Sequence, residues 1–266
     1  MPNKDAQQPN RANYERWLEL AALLTIIALV LGAWELLVLA RNYPVFLLPS
    51  PSQVWQRFVR AAAEGLLWRH LAVTLYEILG GLLLGLSFAF SLGYLLAKSA
   101  RLERLLAPFL VATQAIPIVA LAPLLVIWFG AGSLSKILVC ALTLFFPVLI
   151  NTIVGIRGVE RDLRELMSAL RADRWTTFRL LELPASLPVL FGGLKIGVTL
   201  SVIGAVVGEF VGSDRGLGFL VNLARGLFDT PLMFVALFIL MSLALSLYGV
   251  VSLLERYFVR WRQPGA

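Results

Sequence analysis

Apolar residues in this chain come in long runs separated by short groups of charge, which fits neither the alternation of a half-buried strand nor the one-sided stripe of a surface helix. A helix needs about 20 predominantly apolar residues to cross the hydrocarbon core of a bilayer. Stretches of that length with few charges occur six times: Trp17–Ala40, Ala72–Ala97, Leu105–Phe129, Ile137–Ile156, Pro188–Val211 and Pro231–Leu254. A transmembrane barrel would show segments of about ten residues with alternating polarity, whereas Leu82–Leu86 and Val139–Ile150 are almost continuously apolar. The pattern predicts an all-α integral membrane protein with six transmembrane helices.

Composition supports that reading and removes others. Of 266 residues, 59% are hydrophobic and 15% charged, against roughly 25% charged in an ordinary soluble domain. Disordered, collagen-like and soluble-enzyme classes are all disfavoured. A single cysteine, Cys140, cannot form an intramolecular disulfide, and a single histidine, His70, cannot supply clustered ligands, so no metal or other cofactor is expected. The net charge of +7 sits in short basic groups between apolar runs, where topology explains it without nucleic acid. Keeping Met1–Arg16 inside places fifteen Lys and Arg on the cytoplasmic side against seven outside, with Lys195 within a span. Both termini are therefore expected in the cytoplasm of a multi-pass plasma or inner membrane protein. Met1–Arg16 has the basic character of a signal-peptide start, but the apolar run behind it exceeds about 15 residues, which predicts an uncleaved first helix.

The expected organisation is a tail at 1–16, a first span with an outer interfacial segment at 17–71, a core domain at 72–256 containing a cytoplasmic loop at 157–184, and a tail at 257–266. In the outer segment, Leu48-Pro-Ser-Pro-Ser52 ends an extended stretch and offers Ser52 as the cap of a short helix with Trp55, Phe58 and Val59 on its membrane side.

The cytoplasmic loop is dense in charge. Leu163, Leu166, Met167 and Leu170 fall at i, i+3, i+4 and i+7, one stripe of a helix, with Arg161, Arg164, Glu165 and Arg171 off that stripe. Arg171-Ala172-Asp173 breaks the pattern; Asp173 can cap a second short helix, given an apolar side by Trp175, Phe178 and Leu181 or Leu183 and stopped by Pro184. Periodicity alone fits a helix pair covering the bundle as well as it fits a docking surface for a cytoplasmic partner.

Spacing favours docking. Glu165, a corner near Ala172 and a terminal Leu183-Pro184 nineteen residues after the glutamate resemble the EAA loop of ATP-binding-cassette importer permeases. The segments Ile116-Pro-Ile-Val-Ala-Leu-Ala-Pro-Leu124, Ile127-Trp-Phe-Gly130, Phe146-Pro-Val-Leu-Ile-Asn151, Pro184-Ala-Ser-Leu-Pro188 and Val207-Gly-Glu-Phe-Val-Gly-Ser213, with Gly216-Leu-Gly218, resemble the nitrate, sulfonate and taurine permease group. The likeness covers about Ala72 to Arg256. The chain departs from the family pattern in having Glu165-Leu166-Met167 for Glu-Ala-Ala and Arg171 at the glycine position. Glycine is needed there only if the corner requires a positive φ, so the corner is expected at Ala172 and Asp173 instead. Phe210-Val-Gly-Ser-Asp-Arg-Gly-Leu-Gly218 resembles the vitamin and vitamin-precursor branch, typified by riboflavin and thiamine-pyrimidine importers.

The resemblance implies a permease that moves a small nutrient, as a homodimer with two copies of a separate ATPase and with a periplasmic or lipid-anchored solute-binding protein. No Gly-x-x-x-x-Gly-Lys-Ser/Thr is present. The chain is accordingly expected to be no enzyme. The same machine importing sulfonate, taurine or nitrate is one alternative. Another class, the ion-coupled secondary transporter, would ask for inverted repeats, which are not found, and would leave the charged loop unexplained.

Charges inside the membrane cost about 2.5–3.5 kcal/mol on insertion scales. Glu35 and Glu77 lie near helix ends and are read as end charges at the outer interface; Lys195 is read as snorkelling to the cytoplasmic surface. Glu209 either lines a substrate path or makes an interhelical hydrogen bond. Gly204, Gly208 and Gly212 open one face of the fifth span to close helix packing. Pro108, Pro117 and Pro123 interrupt the third span, and interrupted helices border cavities. Pro117, Pro123 and Glu209 are therefore the candidates for a translocation path.

Overall fold

A computed structural model describes residues 8–259. Residues 1–7 and 260–266, which make up much of both expected tails, lie outside the described residues. Among the described residues the regular structure is all helical: α1 (Gln8–Arg41), α2 (Pro51–Ala63), α3 (Leu66–Lys98), α4 (Ala100–Gln114), α5 (Ile118–Phe129), α6 (Ser133–Arg157), α7 (Arg161–Ala169), α8 (Arg174–Thr177), α9 (Leu183–Gly212), α10 (Leu217–Gly226) and α11 (Thr230–Phe258). Among the described residues five helical runs are long and apolar enough to cross a bilayer, and the bent pair α4–α5, taken together, is long and apolar enough to count as a sixth. Large apolar side chains such as Leu83, Leu105 and Ile127 are exposed on the flanks of the bundle. Their solvent is lipid.

The third span differs most from its expected form. α4 and α5 meet at 91° across Ala115–Pro117, so the run is no straight rod. Pro117 serves as the residue preceding α5 in extended conformation, while Pro108 and Pro123 lie inside their helices without breaking them. A proline forces extended geometry on the residue before it, and Ile116-Pro117 is where the chain turns.

The core is a layer of α3, α6 and α9 with α6 in the middle. A side chain at Gly81 would come within 2.2 Å of Cys140 Cβ, and one at Gly204 within 2.9 Å of Cys140 Cα. The two glycines thus let α3 and α9 close on the same turn of α6 from opposite sides, where dispersion contacts and not a hydrophobic gradient hold helices together in lipid. α11 and α10 pack on α9, and α1 reaches the rest through Trp34 against Phe234, ring centroids 5.4 Å apart.

At the end of α1, Ser50 and not Ser52 caps α2: its side chain accepts from Gln53 N–H, the Gln53 side chain answers on the Ser50 N–H, and Pro51 takes the first helical position. Ser52 instead donates its N–H and hydroxyl to Glu35 at 3.1 and 2.9 Å, which satisfies that carboxylate at the interface. Lys195 does not snorkel; it pairs with Glu255 and so ties α9 to α11. Nor does Pro184 stop the helix ahead of it. α8 runs through a π turn, Phe178–Glu182, into α9, and the helical run from Arg174 to Gly212 is continuous. The wide turn closes with Leu183 N–H on Phe178 O, leaving Pro184 in the first turn of α9, where a missing donor costs least.

Candidate functional site

α7 follows α6 after residues 158–160 and carries the predicted stripe. Leu166 is 54% exposed and Leu170 68%, Leu163 is exposed as well, and α7 buries no residue. The helix is held from within: Arg161 pairs with Glu165 one turn on at 3.0 Å, and the Arg164 guanidinium donates back to Ile156 O at the end of α6. Glu165 therefore serves α7 and does not cap the corner.

The corner sits at Arg171, not at Ala172 and Asp173. Arg171 has φ +52°, Ala172 N–H reaches Met167 O and Arg171 N–H reaches Ser168 O. That is the Schellman pattern for ending a helix, with arginine in the left-handed place usually given to glycine. Asp173 then caps α8, accepting from Trp175 and Thr176 N–H, each at 3.3 Å, and from the Thr176 hydroxyl. These bonds hold its carboxyl below the ordinary aspartate range. Behind the corner, Glu182 in the π turn is buried and pairs with Lys98 at the end of α3, with the Tyr94 hydroxyl donating at 3.4 Å. Arg157 joins Glu103 at 2.6 Å and Leu96 O at 3.0 Å. The π turn behind α8 is thus tied to the end of α3, and α6 to α3 and α4, while Leu163, Leu166 and Leu170 stay exposed.

The opposite end of the bundle is closed. The first four N–H groups of α10 have no partners inside their own helix, a general deficit of helix starts. Here each is met by a buried side chain of α3 or α9: Gly216 by His70 Nδ1 at 3.0 Å, Leu217 by Thr74 Oγ1 at 2.7 Å, Gly218 by Glu209, and Phe219 by Glu209 at 3.2 Å. Thr74 in turn donates to Glu209 at 2.7 Å. A carboxylate at a helix N-terminus is also favoured by the helix dipole. Gly216, at φ +110°, leaves room for Glu209; a Cβ there would fall 2.2 Å from its carboxyl carbon. Lys136, fully buried, donates to the carbonyls of Ala131, Gly132 and Gly212 and so fastens the end of α9 to the start of α6.

Glu77 does not reach the interface. It is 1% exposed and adjoins Glu209, Ser133 and Lys136. Sequence reading placed Lys136 among the outer basic residues and passed over Thr74, His70 and α10. The only signal was an ionisable residue at the border of each long apolar run.

The three path candidates do not converge. Pro117 and Pro123 are exposed on the flank, whereas Glu209 is 1% exposed and bonded to α10. Side chains at Gly204, Gly208 and Gly212 would press on Cys140, Lys136 and Val126 at 2.9, 3.1 and 2.9 Å, so this row faces α6 and α5.

Residues 81–260 match the family described as binding-protein-dependent transport system inner membrane component. The riboflavin transport system permease protein RibX of Chloroflexus aurantiacus is 52% identical over 245 residues, covering 92% of this chain and 91% of that one. The formylaminopyrimidine transport permease protein ThiX of Halalkalibacterium halodurans is 38% identical, covering 86% and 91%. The taurine transport system permease protein TauC of Escherichia coli is 30% identical, covering 91% and 87%.

Proposed function

Because the chain belongs to the inner membrane components of binding-protein-dependent transport systems and is an ABC transporter permease, we propose that it imports a vitamin or vitamin precursor of the riboflavin or pyrimidine type. Two copies form the pore. ATP is hydrolysed by two copies of a separate ATPase, and an outer binding protein delivers the cargo. The observation that carries this reading is the stripe on α7, with Leu163, Leu166 and Leu170 exposed and Met167 half-buried beside them. Helix-in-groove recognition uses anchors at that spacing, and the rigid link through α8 and the π turn passes movement of α7 to α9. In this reading both termini and α7 lie on the cytoplasmic side, which the excess of basic residues there supports.

The vitamin reading rests on the relatives named for riboflavin and formylaminopyrimidine; those named for taurine and sulfonates match at lower identity. Proteoliposomes containing the permease, its ATPase and its binding protein should take up riboflavin or formylaminopyrimidine only with ATP inside. Uptake of taurine with neither heterocycle transported would overturn the cargo. Orientation is tested by labelling Asn13→Cys in intact cells, the native Cys140 being buried; labelling by an impermeant reagent from outside contradicts it.

A further inference from the structure

Between the corner and the core lies a cavity of about 850 Å³, walled by α3, α6, α8, the π turn and α9. Small-molecule sites span roughly 300–1,000 Å³ and are mostly apolar with a few polar groups that set orientation. One wall is aromatic. Trp175 and Phe178 lie with centroids 5.7 Å apart and tilted by 33°, and Tyr94 meets Phe178 edge-on at 5.1 Å. Phe90 and Phe191 also line the space. Trp175 is 65% exposed, an unusual state for the largest ring in an element fixed at both ends. Two polar groups of the lining, the Ser91 hydroxyl and the Arg174 guanidinium, make no hydrogen bond or ion pair with any described residue. An acyl chain would use neither the flat faces nor these donors. A planar ring bearing carbonyl or ring-nitrogen acceptors would use both.

We infer that this cavity is a cargo site at the cytoplasmic end of the permease, taking a flat conjugated heterocycle that stacks on Trp175 and Phe178 and accepts hydrogen bonds from Arg174 or Ser91. The inference rests on the reading of the chain as an importer of such a compound. It adds a release step to it. Trp175 stands two residues beyond the α8 cap and four beyond the Arg171 corner, so displacement of α7 by the ATPase moves the aromatic wall directly. π turns recur at functional sites, and here one joins the wall to α9.

The test uses the permease–ATPase complex in nanodiscs, with riboflavin and its bare ring lumiflavin as probes and flavin fluorescence quenching as readout. Saturable quenching is expected for the native complex. Stacking on one aromatic side chain commonly contributes about tenfold in affinity, so Trp175→Leu and Phe178→Leu should each weaken binding about tenfold while Trp175→Phe stays near native. Co-purification of the ATPase reports that α8 has kept its fold; should a leucine variant lose it, Phe90→Leu and Ser91→Ala, remote from the corner, make the same comparison. Absence of saturable quenching, unchanged affinity in these variants, or equal loss in Trp175→Phe and Trp175→Leu overturns the site. Uptake is measured separately: binding lost in the leucine variants with no riboflavin uptake by the native system leaves the site standing and removes only the proposed cargo.

Discussion

At the end of the bundle that carries α10, four backbone N–H groups, one carboxylate, one imidazole and one hydroxyl satisfy one another out of contact with solvent. At the other end, α7 and its cap present leucines that none of the described residues covers. Both regions look alike in sequence, since each is a short charged or small-residue connection between apolar runs. The difference lies in what each has left over. In the closed end every polar group of the α10 start is matched, so its side chains stabilise and have little capacity to recognise anything else. In the open end Asp173 caps the start of α8 and Arg161 pairs with Glu165 one turn on, and the largest unmatched surface is apolar. Unmatched apolar area on a rigid frame is the raw material of an interface.

That contrast predicts opposite outcomes for mutations. Glu209→Leu should have the largest effect, because it strands Gly218 and Phe219 N–H in a buried site; at about 1–3 kcal/mol for each unsatisfied group, melting in detergent should drop sharply or the protein should fail to accumulate. Glu209→Gln keeps an acceptor and should be milder. If Glu209→Leu melts like the native chain, the closed end is not the structural clamp described.

Leu166→Ala and Leu170→Ala should leave melting unchanged, since neither side chain is buried, yet weaken ATPase capture. Truncated anchors commonly cost more than about 1–2 kcal/mol of binding, roughly ten- to thirtyfold, read as co-purification and as coupling of hydrolysis to uptake. Glu165→Ala removes only an exposed pair worth about 0.3–0.5 kcal/mol and should be nearly silent. Full coupling with both leucines truncated would show that the stripe is not the interface.

A smaller effect is expected at the corner. A left-handed residue with a side chain is strained by about 1–2 kcal/mol, so Arg171→Gly should hold α7 slightly more firmly and Arg171→Val less firmly, measured by hydrogen exchange over Arg164–Leu170. Equal protection in all three would mean that the positive φ carries no strain.

The least change should come from acid. Asp173 has its pKa depressed in the folded corner, so its cap is present above the ordinary aspartate range and is lost only as pH falls through the lower folded value. Protection at Trp175 and Thr176, taken against the intrinsic exchange rate at each pH, should accordingly be unchanged between about pH 7 and pH 5, and Asp173→Ala should lower it at both. A pH-dependent opening in that interval would contradict the capping geometry.

How much of this was legible in the sequence varies by interaction. The six spans, the stripe on α7 and the Asp173 cap depend on neighbours within about one helical turn or on a summed hydropathy, and local pattern records both. The α2 cap was misplaced by two residues, from Ser50 to Ser52, because Ser-Pro-Ser offers two candidate caps and the choice between them was made by Glu35 on another helix, which takes Ser52. Pro184 reads as a stop because proline lacks a donor; the π turn that accommodates it has no periodic signature. Arg171 reads as a poor corner residue because propensity disfavours positive φ, yet the Schellman bonds around it hold the conformation.

By itself, then, the order of residues determined the solvent of this protein, its helical class, its apolar runs and the apolar face of α7, since bilayer thickness and the 3.6-residue turn act on contiguous segments. Tertiary structure alone decided which charges would be buried together. Glu209 meets Thr74 across 135 residues, and His70 meets Gly216 across 146. Such pairs form because a polar group removed from both water and lipid must find a partner wherever the packing of α3, α6 and α9 happens to place one, and that packing is a property of the assembled bundle rather than of any stretch of chain.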